Sequence, residues 1–261
     1  MVTISTQREL RAVQKLGFCY LCGLPLVREN RNRDHVPPEN IFAVADRNPP
    51  LLLPTHVECN SAHKLTDEKI GQLIALKRRH VPSSPEHRRL RFTLSPGQGL
   101  SAVNNLDLDG AIWRWIKGFH AALYGEFMPD TPMRALVTPL PKAVRLANIV
   151  AIEPLRQQHL LAVRLIKTNR VKRNLDTIRT NNGKFTYECV WGQSDDDRAW
   201  LCFFAINIYD WKDLGEPGIP PQRGCAGLYV LPDGGIPGGA TKAAGSALII
   251  PNLDPFDPFG P

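Results

Sequence analysis

Two pairs of soft-metal ligands stand out near the start of the chain, Cys19-x2-Cys22 and His56-x2-Cys59, separated by a stretch of 33 residues. A Cx2C turn directs both sulfurs at one ion, and the Hx2C pair completes a tetrahedron of three sulfurs and one nitrogen, a set suited to zinc. Such a closed site offers no open position, so it is structural, and its binding energy is folding energy. A stretch this long between the pairs must build something of its own. It contains Arg33-Asp34-His35-Val36-Pro37-Pro38. On an extended strand, adjacent side chains point to opposite sides. One of Asp34 and His35 can therefore hold a metal while the other faces a substrate. Asn60 follows the second pair directly, with His63 three residues on.

The elements that must position these residues follow from periodicity. Residues 5–17 read as a short amphipathic helix, with Leu10, Val13 and Leu16 spaced by three and Gly17 as the stop. Beyond the cysteine turn, LPLV and the run into Asp34-His35 read as two short strands, the second cut off by Pro37-Pro38. A helix is predicted from about Asn60 to Arg78. At roughly 100° per residue, Ala62, Leu65, Ile70, Leu73 and Leu76 share its back, and Asn60, His63 and Asp67 its polar front. Residues 80–99 read as a linker, followed by a helix from Leu108 to Tyr124 that Gly125 ends. The runs NIVAI, HLLAVRLI, FTYECVW and AWLCFFAINIY read as strands of a small antiparallel sheet packed on that helix. From Gly215 onward, 19 of 47 residues are Gly or Pro, a composition of doubtful order in which GLYVL and SALII are candidate edge strands.

The order CxxC, then DH followed by proline, then an irregular stretch, then HxxCN at a helix start resembles the HNH endonuclease family. DHVPPENIF together with LPTHVECNSAHKLTDE is similar to a bacterial subgroup of it, over about residues 17–70. The resemblance implies a zinc-stabilised ββα-metal (HNH) fold for the N-terminal module, and with the helix and small antiparallel-sheet region read from the pattern beyond it the expected fold class is α+β. It implies that His35 is the general base and that Asp34 and Asn60 hold a catalytic Mg²⁺ or Mn²⁺, with His63 as a fallback ligand. The middle asparagine of the family name falls on Asn48, with Asn40 the next candidate. His56 stands where a second cysteine is more usual, and Asn60 where a histidine is. Neither change defeats the chemistry, because zinc accepts imidazole and magnesium favours oxygen donors. The expected units are residues 1–95 as the nuclease module, 96–211 as an α+β domain of unknown role, and 212–261 as a Gly/Pro-rich tail.

Bulk properties agree with a polyphosphate partner, and the expected partner is a nucleic acid, DNA rather than RNA. The net charge is +7, and residues 1–100 carry 15 Lys and Arg against 9 Asp and Glu. A basic region of this kind suits polyphosphate. The opening MVTISTQREL has no apolar signal-like run, and no stretch reaches the roughly eighteen apolar residues of a membrane span. A cytoplasmic location is expected, with Cys189, Cys202 and Cys225 as free structural thiols. His80, His87, His120 and His159 read as surface or packing residues, and Trp113, Trp115, Phe119 and Tyr124 as core. The basic runs Arg88-Arg89-Arg91 and Arg164 to Arg173 read as solvated faces. Two other functions fit the same residues. One is a zinc-stabilised nucleic-acid-binding module without catalysis, and the other a nuclease effector of an antiphage or interbacterial system.

Overall fold

In the computed structural model, the described residues are 1–77, 91–95, 100–104, 106–130, 134–137, 161–193, 199–209 and 225–243. The chain is mixed α+β. Its centre is a six-stranded sheet built from β1 (Thr3–Ile4), β6 (Arg134–Val137), β7 (Asp176–Thr180), β8 (Phe185–Gln193), β9 (Trp200–Ile208) and β10 (Cys225–Val230), in the order β1-β7-β8-β9-β10-β6. The β1–β7 pair is parallel and the other pairs are antiparallel.

The period-2 pattern of FTYECVW and AWLCFFAINIY buries both sheet faces. Phe185, Tyr187, Cys189 and Trp191 meet one cluster, whereas Val190 and Phe203 meet another. The first face receives α4 (Leu108–Tyr124), with Phe119 4.6 Å from the Tyr187 ring and Trp113 5.8 Å from Phe204. The second face receives a helix at residues 161–171, α5, through Ala162, Leu165 and Ile166. The run HLLAVRLI is thus helical where it is described. Its apolar spacing of three and four outweighs the β-branched content that suggested a strand.

On the other side of α4 lies the N-terminal unit. Strand β2 (Arg31–His35) pairs antiparallel with β3 (Leu52–His56), joining Arg31 to His56 and His35 to Leu52. Two short helices follow, α2 (Val57–Ser61) and α3 (Lys64–Lys77). The partner of β2 is therefore β3 and not LPLV, which closes the cysteine turn, with Leu24 accepting from the Cys19 N–H at 2.9 Å. The helix expected from Asn60 to Arg78 is broken at Ala62 and His63, which resets its phase. Ile70 is buried as expected, but Leu65, assigned to the packed back, is 50% exposed.

Helix α4 is buried on nearly every side because it is packed between the sheet and this ββα unit, and its apolar residues run all round it. Gly118 permits the approach. A Cβ there would stand 2.8 Å from Val36 and 3.0 Å from Leu53. Gly125 ends the helix in a left-handed conformation, φ +69°. One hydrophobic cluster consequently joins Tyr20, Val36, Leu53 and Ile70 to Trp115, Phe119 and Phe185.

The boundary expected at 95/96 falls within a hairpin, where β4 (Arg91–Ser95) pairs with β5 (Leu100–Asn104), so part of the expected linker is strand. GLYVL, expected at an edge, lies in β10 between β9 and β6. NIVAI, SALII, His80, His87 and His159 lie outside the described residues, as do residues 212–224 and 244–261 of the tail region. Among the described residues no helix is long and apolar enough to cross a membrane.

Candidate active site

The two ligand pairs converge. The Sγ atoms of Cys19, Cys22 and Cys59 and a ring nitrogen of His56 all lie within 4.8 Å of one another. His56 presents Nδ1, 3.3 Å from Cys22 Sγ and 3.9 Å from Cys59 Sγ. Zinc bond lengths of about 2.3 Å to sulfur and 2.0–2.1 Å to nitrogen require a tetrahedral edge of about 3.6 Å between these atom types, and the two observed edges straddle it. The other ring nitrogen, Nε2, lies 3.2 Å from the Pro25 carbonyl, which accepts its proton and fixes the tautomer.

Cys19 Sγ accepts from the His56 N–H at 3.5 Å and lies 3.2 Å from the Thr55 hydroxyl. Burial opposes ionisation of Cys19, but these contacts and the N–H groups of Cys22 and Leu21 outweigh it and bring the thiol down to about 7. Burial first, then the neighbouring sulfurs of Cys19 and Cys22, push Cys59 up to about 12. Sulfur crowding of this kind is relieved by a cation, and the four residues could hold a metal ion such as zinc.

Beside this cluster an open cleft of about 440 Å³ is lined by Arg33, Asp34, His35 and Glu39 from one strand and its continuation, and by Asn60, Ser61, Lys64 and Asp67 from the helices, among others. Strand β2 shows the alternation expected of it. Asp34 is buried, and His35 has a side chain 36% exposed. Asn60 enters from α2 one residue after Cys59, its amide donating to the Arg33 carbonyl at 3.3 Å. That bond leaves Oδ1 as the donor atom available to a cation.

Three positions differ from expectation. Asn48 does not line the cleft, because its carbonyl accepts from Asn182 at 2.6 Å and that of Pro49 from Asn181 at 3.0 Å, anchoring the segment to the β7–β8 connection. Asn40 does line it, its amide donating to the Asp67 carbonyl at 2.9 Å. His63 stands half-buried at the break between α2 and α3 and is not among the lining residues. Its pKa is lowered, by burial first and by the Arg114 charge second, against a smaller pull from Asp34 and Asp107.

Sequence reasoning missed a buried network behind the cleft. Asp34 Oδ2 accepts from the Tyr20 hydroxyl and lies 3.9 Å from Arg114 Nη1. Arg114, whose side chain is 3% exposed, binds Asp67 through Nη2. The signal was legible, since an arginine between two tryptophans in AIWRWI must find anionic partners if the helix is buried. The exposed basic residues of α5, by contrast, lie on the far side of the sheet, and Arg170 pairs there with Glu188 at 2.9 Å. No protein-family model matches this chain, and no match is found among the curated proteins or the solved structures.

Proposed function

We propose that the chain is a metal-dependent endonuclease of HNH type that hydrolyses nucleic-acid phosphodiesters, DNA in preference to RNA. One observation carries the reading: Asp34, His35 and Asn60 line a single open cleft beside the Cys19, Cys22, His56 and Cys59 cluster, on a β-hairpin followed by a helix. Zinc at that cluster would fasten the hairpin to the start of α2 and so fix Asn60 relative to β2.

Hydrolysis needs a deprotonated water and neutralisation of charge at the phosphate. An imidazole is the side chain suited to accept a proton from water near neutral pH, which is the role given to His35. Asp34, through Oδ1, and Asn60, through Oδ1, would hold a divalent cation. Oxygen donors suit magnesium or manganese, and the ion supplies Lewis-acid stabilisation of the phosphate when bound. Arg33 and Lys64 flank the cleft as contacts for neighbouring phosphates, which position the strand without reading its sequence.

A second reading, a zinc-stabilised binding module without catalysis, draws on Asp34 itself. Its carboxylate is buried and already engaged by Tyr20 and Arg114, and a guanidinium 3.9 Å away opposes a second cation. Incubation of the purified chain with plasmid DNA, single-stranded DNA and RNA, in Mg²⁺, Mn²⁺ or EDTA, separates the two. The nuclease reading expects metal-dependent cleavage that His35→Ala lowers by about two to four orders of magnitude while leaving nucleic-acid binding in place. Binding without cleavage in any metal, or cleavage unchanged in His35→Ala, favours the binding module.

A further inference from the structure

The catalytic reading leaves open what aims the His35 ring. Glu39 stands four residues beyond it, at the start of a 3-10 turn (Glu39–Ile41), with Oε2 3.5 Å from His35 Nε2. Its second oxygen is not idle. Oε1 accepts from Arg47 Nη1 at 3.0 Å, and Arg47 Nε donates to the Phe42 carbonyl at 3.1 Å. The carboxylate is thus held in a fixed bridge, one oxygen on an arginine that is itself tied to backbone and the other beside the imidazole.

We propose that Glu39, held by Arg47, is the positioning residue of His35, fixing the ring as the Nε2–H tautomer and leaving Nδ1 as the atom that takes the proton from water. This rests on the nuclease reading for its consequence but not for its geometry. A carboxylate beside one ring nitrogen selects the tautomer because a neutral imidazole carries one proton, and that proton goes to the nitrogen facing the better acceptor. Asp34 cannot do this, because β2 turns its side chain to the opposite, buried side of the strand. The arrangement also gives a role to the contact by which Arg47 reaches back across eight residues to Glu39.

The first test needs no activity. In the full chain with its zinc, at a pH well above the ordinary histidine value of roughly 6.5, long-range ¹⁵N–¹H correlation spectra report which ring nitrogen of His35 is protonated. The parent should show the Nε2–H form. Glu39→Ala should lose that bias, and Glu39→Gln, whose amide oxygen still accepts, should retain it. An Nδ1–H ring in the parent, or a tautomer unmoved by Glu39→Ala, overturns the proposal.

The second test is kinetic. Glu39→Ala should lower kcat about tenfold to a hundredfold, the range seen when a partner that orients a histidine is removed, with KM nearly unchanged and most of the loss restored in Glu39→Gln. In a His35→Ala background, Glu39→Ala should cost nothing further, because residues acting as one unit are not additive. A rise in KM alone, or an additive loss in the double variant, makes Glu39 a substrate contact or an independent structural residue and overturns the proposal. Absence of nuclease activity in the parent overturns the functional reading instead, and the tautomer alone then decides the positioning.

Discussion

Replacing Asp67 by asparagine should change the pH dependence of stability by an amount that can be worked out. The Asp67 side chain is 15% exposed. Burial raises its carboxyl from 3.8 to about 6, against the lowering effect of the Arg114 charge and hydrogen bond, with Asp34 adding to the rise. The folded chain therefore holds this proton more tightly than the unfolded chain by about two pH units, worth about 3 kcal/mol at roughly 1.4 kcal/mol per unit. Below 3.8 the group is protonated in both states and contributes in full to the folded side. Above 6 it is ionised in both, and the folded state bears the whole cost of a desolvated carboxylate. The contribution is accordingly lost as pH rises through the folded value, about 2 kcal/mol of it between pH 4 and pH 7.

Asp67→Asn removes the titration. Whatever constant penalty the variant suffers from weakening the Arg114 pair, its stability relative to the parent should climb by that amount across the interval. Urea unfolding of both chains at four pH values, with linear extrapolation, measures it. A difference flat to within about half a kcal/mol would refute the account. A difference of opposite sign would show that the Arg114 ion pair, and not burial, governs Asp67.

Two further expectations concern the frame of the site. The chain purified without added metal should carry about one zinc, and His56→Ala should lose it together with cooperative unfolding of the ββα unit, because binding and folding are coupled; elemental analysis and circular dichroism check both, and less than about a tenth of an equivalent of zinc in the parent removes the framework. Gly118→Ala should gain about 1 kcal/mol in helix propensity yet lose about 1–3 kcal/mol to overpacking against Val36, Leu53 and Tyr20, all of which are buried. The net expectation is a loss of about 1 kcal/mol, and a variant more stable than the parent in denaturant unfolding would mean that α4 can back away from the hairpin.

Local chemistry made much of the fold legible in the sequence. The ligand spacing alone indicated that Cys19, Cys22, His56 and Cys59 would meet, because a Cx2C turn and a strand-to-helix Hx2C turn each have one way to point two donors together. Helix α4 runs from Leu108 to Tyr124 as the apolar spacing and Gly125 demanded. Strands β8 and β9 follow their alternation. The readings that failed needed tertiary information. LPLV and β3 were both apolar candidates to pair with β2, and only closure of the cysteine turn decides between them. The phase of α3 depended on a break at Ala62–His63 that no proline or glycine announces. β10 reads as an edge strand because its glycine-rich surroundings lower its average, while its own six residues are all buried.

The candidate site divides along the same line. That Asp34, His35 and Asn60 would come together at one cleft was legible because adjacent residues on a strand, and the residue after the last cysteine of the Cys/His cluster, are placed by local geometry. Asn40 and Asn48 were not separable, since which one reaches the cleft depends on where the loop docks, and the β7–β8 connection takes the backbone at Asn48 and Pro49. The arginine in AIWRWI signalled a buried anionic partner, but nothing local says that its partners are Asp34 and Asp67, or that Tyr20 joins them. Arg114 comes from beyond the expected boundary of the nuclease unit, and the apolar face that carries it between the hairpin and the sheet also seals Asp34 from solvent. The carboxylate assigned to the cation is thus set by a helix from the other half of the chain. Burial of the guanidinium costs several kcal/mol unless its anionic partners stay ionised, so the state of Asp34 and Asp67 is tied to the packing of α4. The site at the strand end and the core around α4 are, in this sense, one structure, and Arg114 contributes to it although, among the described residues, the cleft lining ends at Glu68.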